Sequence, residues 1–255
     1  MTTGLVGYTG FVGSNLRRQR EFDELYNSSN IDDIRGRSFE RLVFSAAKAE
    51  KWRINQDPEA DAAHIAELID VLQSVDVQHL VLISTVDVYG AAEDVDELTA
   101  VDEHGLHAYG LHRRALEKHV VSEFSRSTVL RLPGLFGPGI KKNVIYDLLH
   151  GNNLDRVHAD GSYQYYDLRL LADDVDRAVS LGIPLLNVST EPITTQELAR
   201  DAFGVDFQNR PEDMTPGSYD MKSVYASAWG GEGGYLYDRR TILSRLRDFV
   251  VEERG

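Results

Sequence analysis

Short apolar runs alternate with longer amphipathic stretches along this chain, starting within its first ten residues. A brief apolar run bounded by turn residues suits a buried strand, whereas apolar positions three and four apart suit a helix that buries one face. On that basis strands are expected at Gly4 to Gly7, Glu24 to Tyr26, Arg41 to Ser45, His79 to Ser84, Ser127 to Arg131 and Leu185 to Val188. Helical spacing is clearest from Pro58 to Ser74. There Ala62, Ile65, Ala66, Ile69 and Leu72 share one face, with Glu59, Asp61 and Glu67 largely off it. Further helices are expected at Gly10 to Arg20, Ala108 to Phe124, Leu171 to Leu181, Thr195 to Ala202 and Arg239 to Val251.

Strands and helices in alternation argue for an α/β fold with a doubly wound parallel sheet of the Rossmann type. After Gly137 the alternation loosens, and Gly137-Pro138-Gly139 and Gly230-Gly231-Glu232-Gly233-Gly234 punctuate it. The expected organisation is a core of residues 1–136 rejoined by 168–190, with 137–167 and 191–255 forming a small lobe. Between Tyr26 and Arg41 there is little room for another full βα unit. No repeat, low-complexity tract or linker is visible.

Composition narrows the function classes. The 255 residues are 42% hydrophobic and 27% charged, ordinary for a globular protein and too apolar for disorder. No uninterrupted apolar run reaches the ~18 residues of a membrane span. The opening Met1-Thr2-Thr3-Gly4 has no basic region followed by an apolar stretch, so a cytoplasmic location is expected. Absence of cysteine excludes disulfides, thiolate zinc sites and cysteine nucleophiles. The net charge of −14 disfavours nucleic acid and anionic lipid as partners, and a small molecule is the expected one.

Candidate chemistry begins at Gly7-Tyr8-Thr9-Gly10-Phe11-Val12-Gly13, between the first strand and the first helix. A diphosphate needs bare backbone N–H groups, a helix N-terminus and glycines where a Cβ would collide with it. Gly7 and Gly10 would shape the turn and Gly13 would let the helix close on the strand; a plain tight turn would use the same glycines. A dinucleotide site usually carries an acid about 20 residues on, bonding the ribose hydroxyls. Here the second strand ends in Asn27-Ser28 without a carboxylate. The cofactor is therefore read as NAD or NADP with a slight lean to NADP, whose 2′-phosphate Asn27, Ser28 and Arg17 could bond. The alternative for Asn27 and Ser28 is a polar strand-end turn.

Two further clusters fall at strand ends, Ser84-Thr85-Val86-Asp87-Val88-Tyr89-Gly90 and Tyr109-Gly110-Leu111-His112-Arg113. Hydride transfer at a carbon bearing oxygen needs a proton moved on that oxygen, which a tyrosine beside a cation can do while a hydroxyl holds the oxygen in line.

These clusters, with Phe44-Ser45-Ala46-Ala47, Arg131-Leu132-Pro133-Gly134-Leu135-Phe136-Gly137-Pro138-Gly139 and Asp173-Asp174-Val175, make the chain resemble the extended short-chain dehydrogenase/reductase superfamily, in its NAD-dependent epimerase/dehydratase group. The resemblance implies Tyr109 as acid/base and Thr85 as its hydroxyl partner. It implies that Ala46 and Ala47 line the cofactor channel beside Ser84, that Pro133 passes near the nicotinamide and that Asn143 faces the substrate. It further implies a homodimer built on the helices Pro58 to Ser74 and Ala108 to Phe124.

Three departures from that family stand out. Its Tyr-x-x-x-Lys reads Tyr109-x-x-x-Arg113 here, and arginine is a planar, differently aimed cation. Val86 stands where dehydratases of the family carry an acid, which counts against dehydration; Asp87 beside it is a candidate base or substrate contact, or a strand-end cap. The lobe is also small, although Lys141 and Lys142 could meet a diphosphate.

The remaining polar residues read more plainly. His104 and His107 are taken as loop residues, His112 as a helix-surface residue, Trp52 and Trp229 as core or lobe contacts, and Asp167 with Arg169 as a pair. No Gly-x-Ser-x-Gly elbow supports a hydrolase. The expected activity is an NAD(P)-dependent oxidoreductase or epimerase acting on a hydroxyl or ketone of a sugar or sugar nucleotide, with Arg113 holding the ribose and biasing Tyr109. The rival is a nucleotide sensor that keeps the pocket without turnover.

Overall fold

The computed structural model describes residues 2–255; Met1, the first residue of the expected core, lies outside the described residues. In chain order the strands are β1 (Thr3–Val6), β2 (Glu24–Tyr26), β3 (Ser38–Phe44), β4 (Asp76–Thr85), β5 (Glu93–Val95), β6 (Ser127–Leu132), β7 (Gly134–Phe136), β8 (Ser162–Tyr163), β9 (Tyr165–Asp167), β10 (Leu185–Asn187), β11 (Ile193–Thr194) and β12 (Asp220–Met221). The α-helices are α1 (Phe11–Gln19), α2 (Lys51–Gln56), α3 (Pro58–Gln73), α4 (Ala108–Glu123), α5 (Val144–His150), α6 (Leu171–Ser180), α7 (Thr195–Leu198) and α8 (Arg239–Arg254). Two compact units share them. The first is the chain up to Gly90 with Ala100–Arg131 and Arg169–Leu186; the second is Ala91–Thr99, Leu132–Leu168 and Asn187–Gly255.

All six strands expected from the apolar runs meet in one sheet, ordered β10-β6-β4-β3-β1-β2. β1 runs parallel to β2 and β3, and β3 parallel to β4, as in a Rossmann-type fold. The chain returns from β2 to β3 through one 3-10 turn, Ile31–Ile34, so β2 is an edge strand with no βα unit beyond it. Strand order reverses at β1, which places the loops after β1 and β3 at the crevice where open sheets of this kind receive ligands.

The core of this unit joins Val6, Leu42, Phe44, Leu80, Leu82 and Val129 of the strands to Ile65, Leu68, Val71 and Leu72 of α3 and Leu116 and Val120 of α4. The buried face of α3 is rotated from the expected one. Ala62 and Ala66 are exposed, and Asp61, Leu68 and Val71 are buried with Ile65 and Leu72. Large side chains gain most by leaving water, so the Ile65, Leu68, Leu72 ladder decides the rotation and the alanines yield. Asp61 lies one turn before Ile65 on the same ladder and enters the interior with it. At the start of α3 the Asp57 carboxylate accepts the Ala60 N–H at 3.3 Å, and Pro58 occupies the first turn, where its missing N–H costs nothing.

The second unit is a set of short strand pairs around α8. β7 pairs parallel with β9, β5 with β12, and β8 antiparallel with β11. Phe249 of α8 stacks on Phe136 of β7 with ring centres 5.7 Å apart. The buried Gln164 amide donates to the Thr190 and Met221 carbonyls and accepts the Met221 N–H at 2.8 Å. That one side chain ties the segment between β8 and β9 to Thr190 and to β12. The helix expected at Thr195 to Ala202 is α7 followed by a π-turn, Ala199–Phe203. α2 and α5, of six and seven residues, were not expected, because so few residues complete too little of a helical period.

Candidate active site

The three glycines between β1 and α1 serve different steric ends. Gly7 has φ +86°, and a Cβ there would lie 2.5 Å from the Ser45 carbonyl oxygen. A Cβ on Gly13 would lie 2.2 Å from the Gly7 carbonyl oxygen, so only glycine lets α1 close on the turn. Gly10 differs: a Cβ would meet only that same oxygen, at 3.3 Å, a contact that a shift of a few tenths of an ångström relieves. Gly10 caps α1 without a side-chain bond, and the first turn of α1 carries no acid. Unbonded N–H groups at a helix N-terminus, with no carboxylate beside them, fit a diphosphate.

The turn is tied to β2, since Gly7 and Tyr8 donate to the Tyr26 carbonyl at 2.7 and 3.4 Å. Beyond β2 the Asn27 amide oxygen accepts from the Ser29 N–H and hydroxyl at 2.8 and 2.6 Å, which makes Asn27 a turn former. Ser28 is exposed, and the Arg17 guanidinium lies 5.5 Å from the Tyr8 ring centre. On the other side of β1, Ala46 and Ala47 are half-buried against the core.

The second cluster forms where β4 meets α4. β4 ends at Thr85, whose hydroxyl caps the 3-10 turn Val86–Tyr89 by accepting the Asp87 N–H at 3.2 Å. The start of α4 packs against that turn closely enough that a Cβ on Gly110 would lie 2.3 Å from the Asp87 carbonyl oxygen. Gly110 thereby sets Tyr109 beside Thr85, whose side chain draws the phenol's pKa down. His107, expected as a loop residue, caps α4 by accepting the Gly110 N–H at 3.0 Å. The Tyr109 N–H donates to the Asn55 side chain of α2 at 3.1 Å.

Tyr109 is buried, and burial pushes its phenol well above the usual tyrosine range. Arg113 opposes that shift, Asp87 adds to it, and Thr85 and Lys51 pull it down. Lys51 and Asp87 form an ion pair at 2.7 Å.

Arg113 is only 3% exposed, and its guanidinium lies over the Tyr109 ring, 4.3 Å from its centre. Both terminal nitrogens donate to Asp61, one also donates to the Lys48 carbonyl, and the buried Nε has no partner. His112 bonds Asp61 as well, at 2.7 Å, so it belongs to this buried cluster and is not the helix-surface residue expected. Burial alone would raise the Asp61 carboxyl, but the bonds from Arg113 and His112 outweigh it and hold the group below the usual carboxylate range.

Ser84 donates to Glu117 at 2.6 Å, and Glu117 is held by Arg131 at 2.6 Å, both at 1% exposure. Arg114 joins at 3.0 Å, and the Arg131 guanidinium lies 4.7 Å from the Tyr89 ring centre. The Ser84 hydroxyl is thus part of an internal network.

In the second unit Pro133 is buried and Asn143 caps α5 at φ +94°, accepting the Ile145 and Tyr146 N–H groups and donating to the Leu135 carbonyl at 2.8 Å. Lys141 and Lys142 are exposed. Asp167 is fully buried and pairs with Arg245 of α8 at 3.3 Å. Trp52 is 65% exposed and is no core contact.

Sequence reading missed Lys51, Asp61 and Glu117. Lys51 sits in a charged stretch that reads as solvated, with no periodicity to mark it. Asp61 and Glu117 could have been found, since an acid in register with the apolar ladder of a helix needs a buried partner.

A family model described as "Epimerase: NAD dependent epimerase/dehydratase family" matches residues 24–160. No curated protein matches the chain in sequence. Solved structures match it in fold over nearly its whole length. RMD from Pseudomonas aeruginosa, complexed with NADPH, is 19% identical with a TM-score of 0.73, covering 99% of this chain and 98% of its own. A dTDP-4-dehydrorhamnose reductase from Clostridium acetobutylicum is 16% identical with a TM-score of 0.75, covering 100% of both chains. UDP-glucose 4-epimerase from Thermotoga maritima, with UDP-glucose, is 17% identical with a TM-score of 0.70, covering 100% of this chain and 99% of its own.

Proposed function

The chain belongs to the NAD dependent epimerase/dehydratase family, and from that premise we propose that it is an NAD(P)-dependent oxidoreductase or epimerase acting on a hydroxyl or ketone of a sugar nucleotide. The observation that carries this reading is the Thr85–Tyr109 pair set by Gly110 at the end of β4. It is a proton donor with its aligning hydroxyl, in the same sheet as a glycine turn fit for a diphosphate. The family neighbours described with NADPH and with UDP-glucose support the cofactor and the substrate class.

The residues Gly7 to Gly13 hold the diphosphate through backbone N–H groups, and Ala46 and Ala47 give a smooth apolar wall. The bound nicotinamide supplies or accepts the hydride. Tyr109 gives its phenolic proton to the substrate oxygen during reduction and takes it back during oxidation, while Thr85 keeps phenol and oxygen in line. Pro133 and Asn143 keep the nicotinamide and substrate roles implied by family resemblance. Ser28 and Arg17 favour NADP, because β2 is followed by Asn27 to Asn30 with no carboxylate among them, and an acid there would repel a 2′-phosphate. Residues 1–136 and 168–190 are assigned to the cofactor and the rest to the substrate. A homodimer through α3 and α4 accords with Leu111 and Val121, which α4 leaves exposed.

One observation favours the second reading, a sensor without turnover: Arg113 is engaged by Asp61 and not held free. Fluorescence titration with NADH and NADPH, followed by turnover assays with dTDP- and UDP-sugars, separates the two. An enzyme binds one cofactor and turns over; a sensor binds and does not. A folded protein that binds neither cofactor contradicts both.

A further inference from the structure

The cation expected to serve Tyr109 is occupied elsewhere. Arg113 is clamped to Asp61 through both terminal nitrogens, with each residue 3% exposed, and one nitrogen also donates to the Lys48 carbonyl. Its guanidinium faces the ring of Tyr109. Moving it towards a charge on the phenol oxygen would strand a buried carboxylate, which is strongly unfavourable. Arg113 is therefore a fixed, compensated charge.

A second cation stands at the same corner. Lys51 opens α2, and Asn55, one turn later on the same helix face, accepts the Tyr109 N–H at 3.1 Å. That bond fastens α2 to the start of α4. Lys51 Nζ sits 2.7 Å from Asp87 Oδ1, and the Asp87 N–H donates to the hydroxyl of Thr85, the residue beside the phenol. Unlike Arg113, Lys51 is 38% exposed at the side chain and carries a point charge on a flexible stem. Asp87 is more exposed than Asp61, so Lys51 can turn from it to a nearby anion at less cost than Arg113 could leave Asp61.

We propose that Lys51, held in reserve by Asp87, is the cation that stabilises the Tyr109 phenolate when the phenolic proton passes to substrate, and that Arg113 acts as a ring-stacking brace. This rests on the reading of Tyr109 as the acid/base. The charged and titratable groups facing Tyr109 are Arg113 and His107 of α4 and its cap, Asp87 of the 3-10 turn and Lys51 of α2, with Asp61 of α3 behind Arg113. Lys51 is a positioning residue in this scheme, because it acts through Tyr109.

The test places a fluorinated tyrosine, acidic enough to titrate in the stable range, at position 109 of the full chain and follows it by fluorine NMR. Lys51→Met should raise the apparent pKa of that phenol by about one unit, since an opposite charge a few ångströms away commonly shifts a group that far. Asp87→Asn should lower it by a similar amount, and Lys51→Arg should restore the parent value. With natural Tyr109, Lys51→Met should move the pH–rate profile of reduction to higher pH while NADPH affinity stays within about twofold of the parent. A phenol titration unmoved by Lys51→Met, or moved equally by Lys51→Arg, overturns the proposal. Because the NMR measurement needs no turnover, the two failures are distinguishable: a shifted phenol in a chain that reduces no sugar nucleotide would defeat the functional reading and leave only the coupling of Lys51 to the phenol.

Discussion

The glycine turn and the Tyr109 corner are built on opposite principles. At the turn, missing side chains do the shaping: Gly7 and Gly13 are required because any Cβ would strike the backbone within 2.5 Å. At the corner, charged side chains do it: Arg113, Asp61 and His112 are locked together inside α3 and α4, with Lys51 and Asp87 at the rim. A backbone cradle tolerates little change in shape and is nearly indifferent to pH. A network of buried charges depends on its geometry as well, but it also fails when one partner loses its charge.

The sharpest way to break this comparison lies at the corner. Tyr109→Phe keeps the ring under Arg113 and removes the phenolic hydroxyl with its proton, so turnover should fall about 10²- to 10⁴-fold while NAD(P)H affinity is unchanged. Unaltered turnover would show that the chemistry lies elsewhere. Asp61→Ala should cost about 3–5 kcal/mol by leaving Arg113 uncompensated, measured as a lowered urea midpoint. The double variant Asp61→Ala with Arg113→Met should recover part of that loss.

The same pair predicts a pH dependence. The folded carboxyl of Asp61 titrates below its unfolded value, so its contribution is fully present above the unfolded pKa. It is lost as pH falls through the folded value. Stability of the parent relative to Asp61→Asn should therefore shrink in acid, below the ordinary carboxylate range, and stay constant near neutrality.

At the turn, Gly13→Val should cost about 1–3 kcal/mol through overpacking and abolish cofactor binding with it. Gly10→Ala separates the two effects. Its Cβ meets the Gly7 carbonyl oxygen only at 3.3 Å, so melting temperature should hardly move while NAD(P)H affinity falls. Equal loss of stability would mean that Gly10 serves the fold and not a ligand. Ser84→Ala should act on stability alone, at about 1.5–3 kcal/mol for one hydrogen bond to the buried Glu117 carboxylate, with cofactor affinity unchanged. A clear loss of affinity would return Ser84 to the cofactor, where family resemblance puts it.

Much of the fold was legible because the six sheet strands are short apolar runs cut off by turns, and α3, α4 and α6 end within a residue of the expected positions. What was misread follows one physical rule. Periodicity counts apolar residues alike, whereas burial rewards size, so the α3 face was expected on Ala62 and Ala66 and formed on Leu68 and Val71. The small second unit was least legible, since its strands are two or three residues long and its order depends on bonds such as those of Gln164.

The amino-acid sequence alone determined the glycine turn and the strand–helix order, because steric need and apolar pattern act at the residue itself, whereas the pairing of Thr85 with Tyr109 was implied only by family resemblance. Only the tertiary structure decided which charges meet. Arg113 and Asp61 lie 52 positions apart, Lys51 and Asp87 36, and Ser84 and Glu117 33. The pairing of charges so distant along the chain depends on which helix faces the packed core turns inward, and the chain must fold before that choice exists.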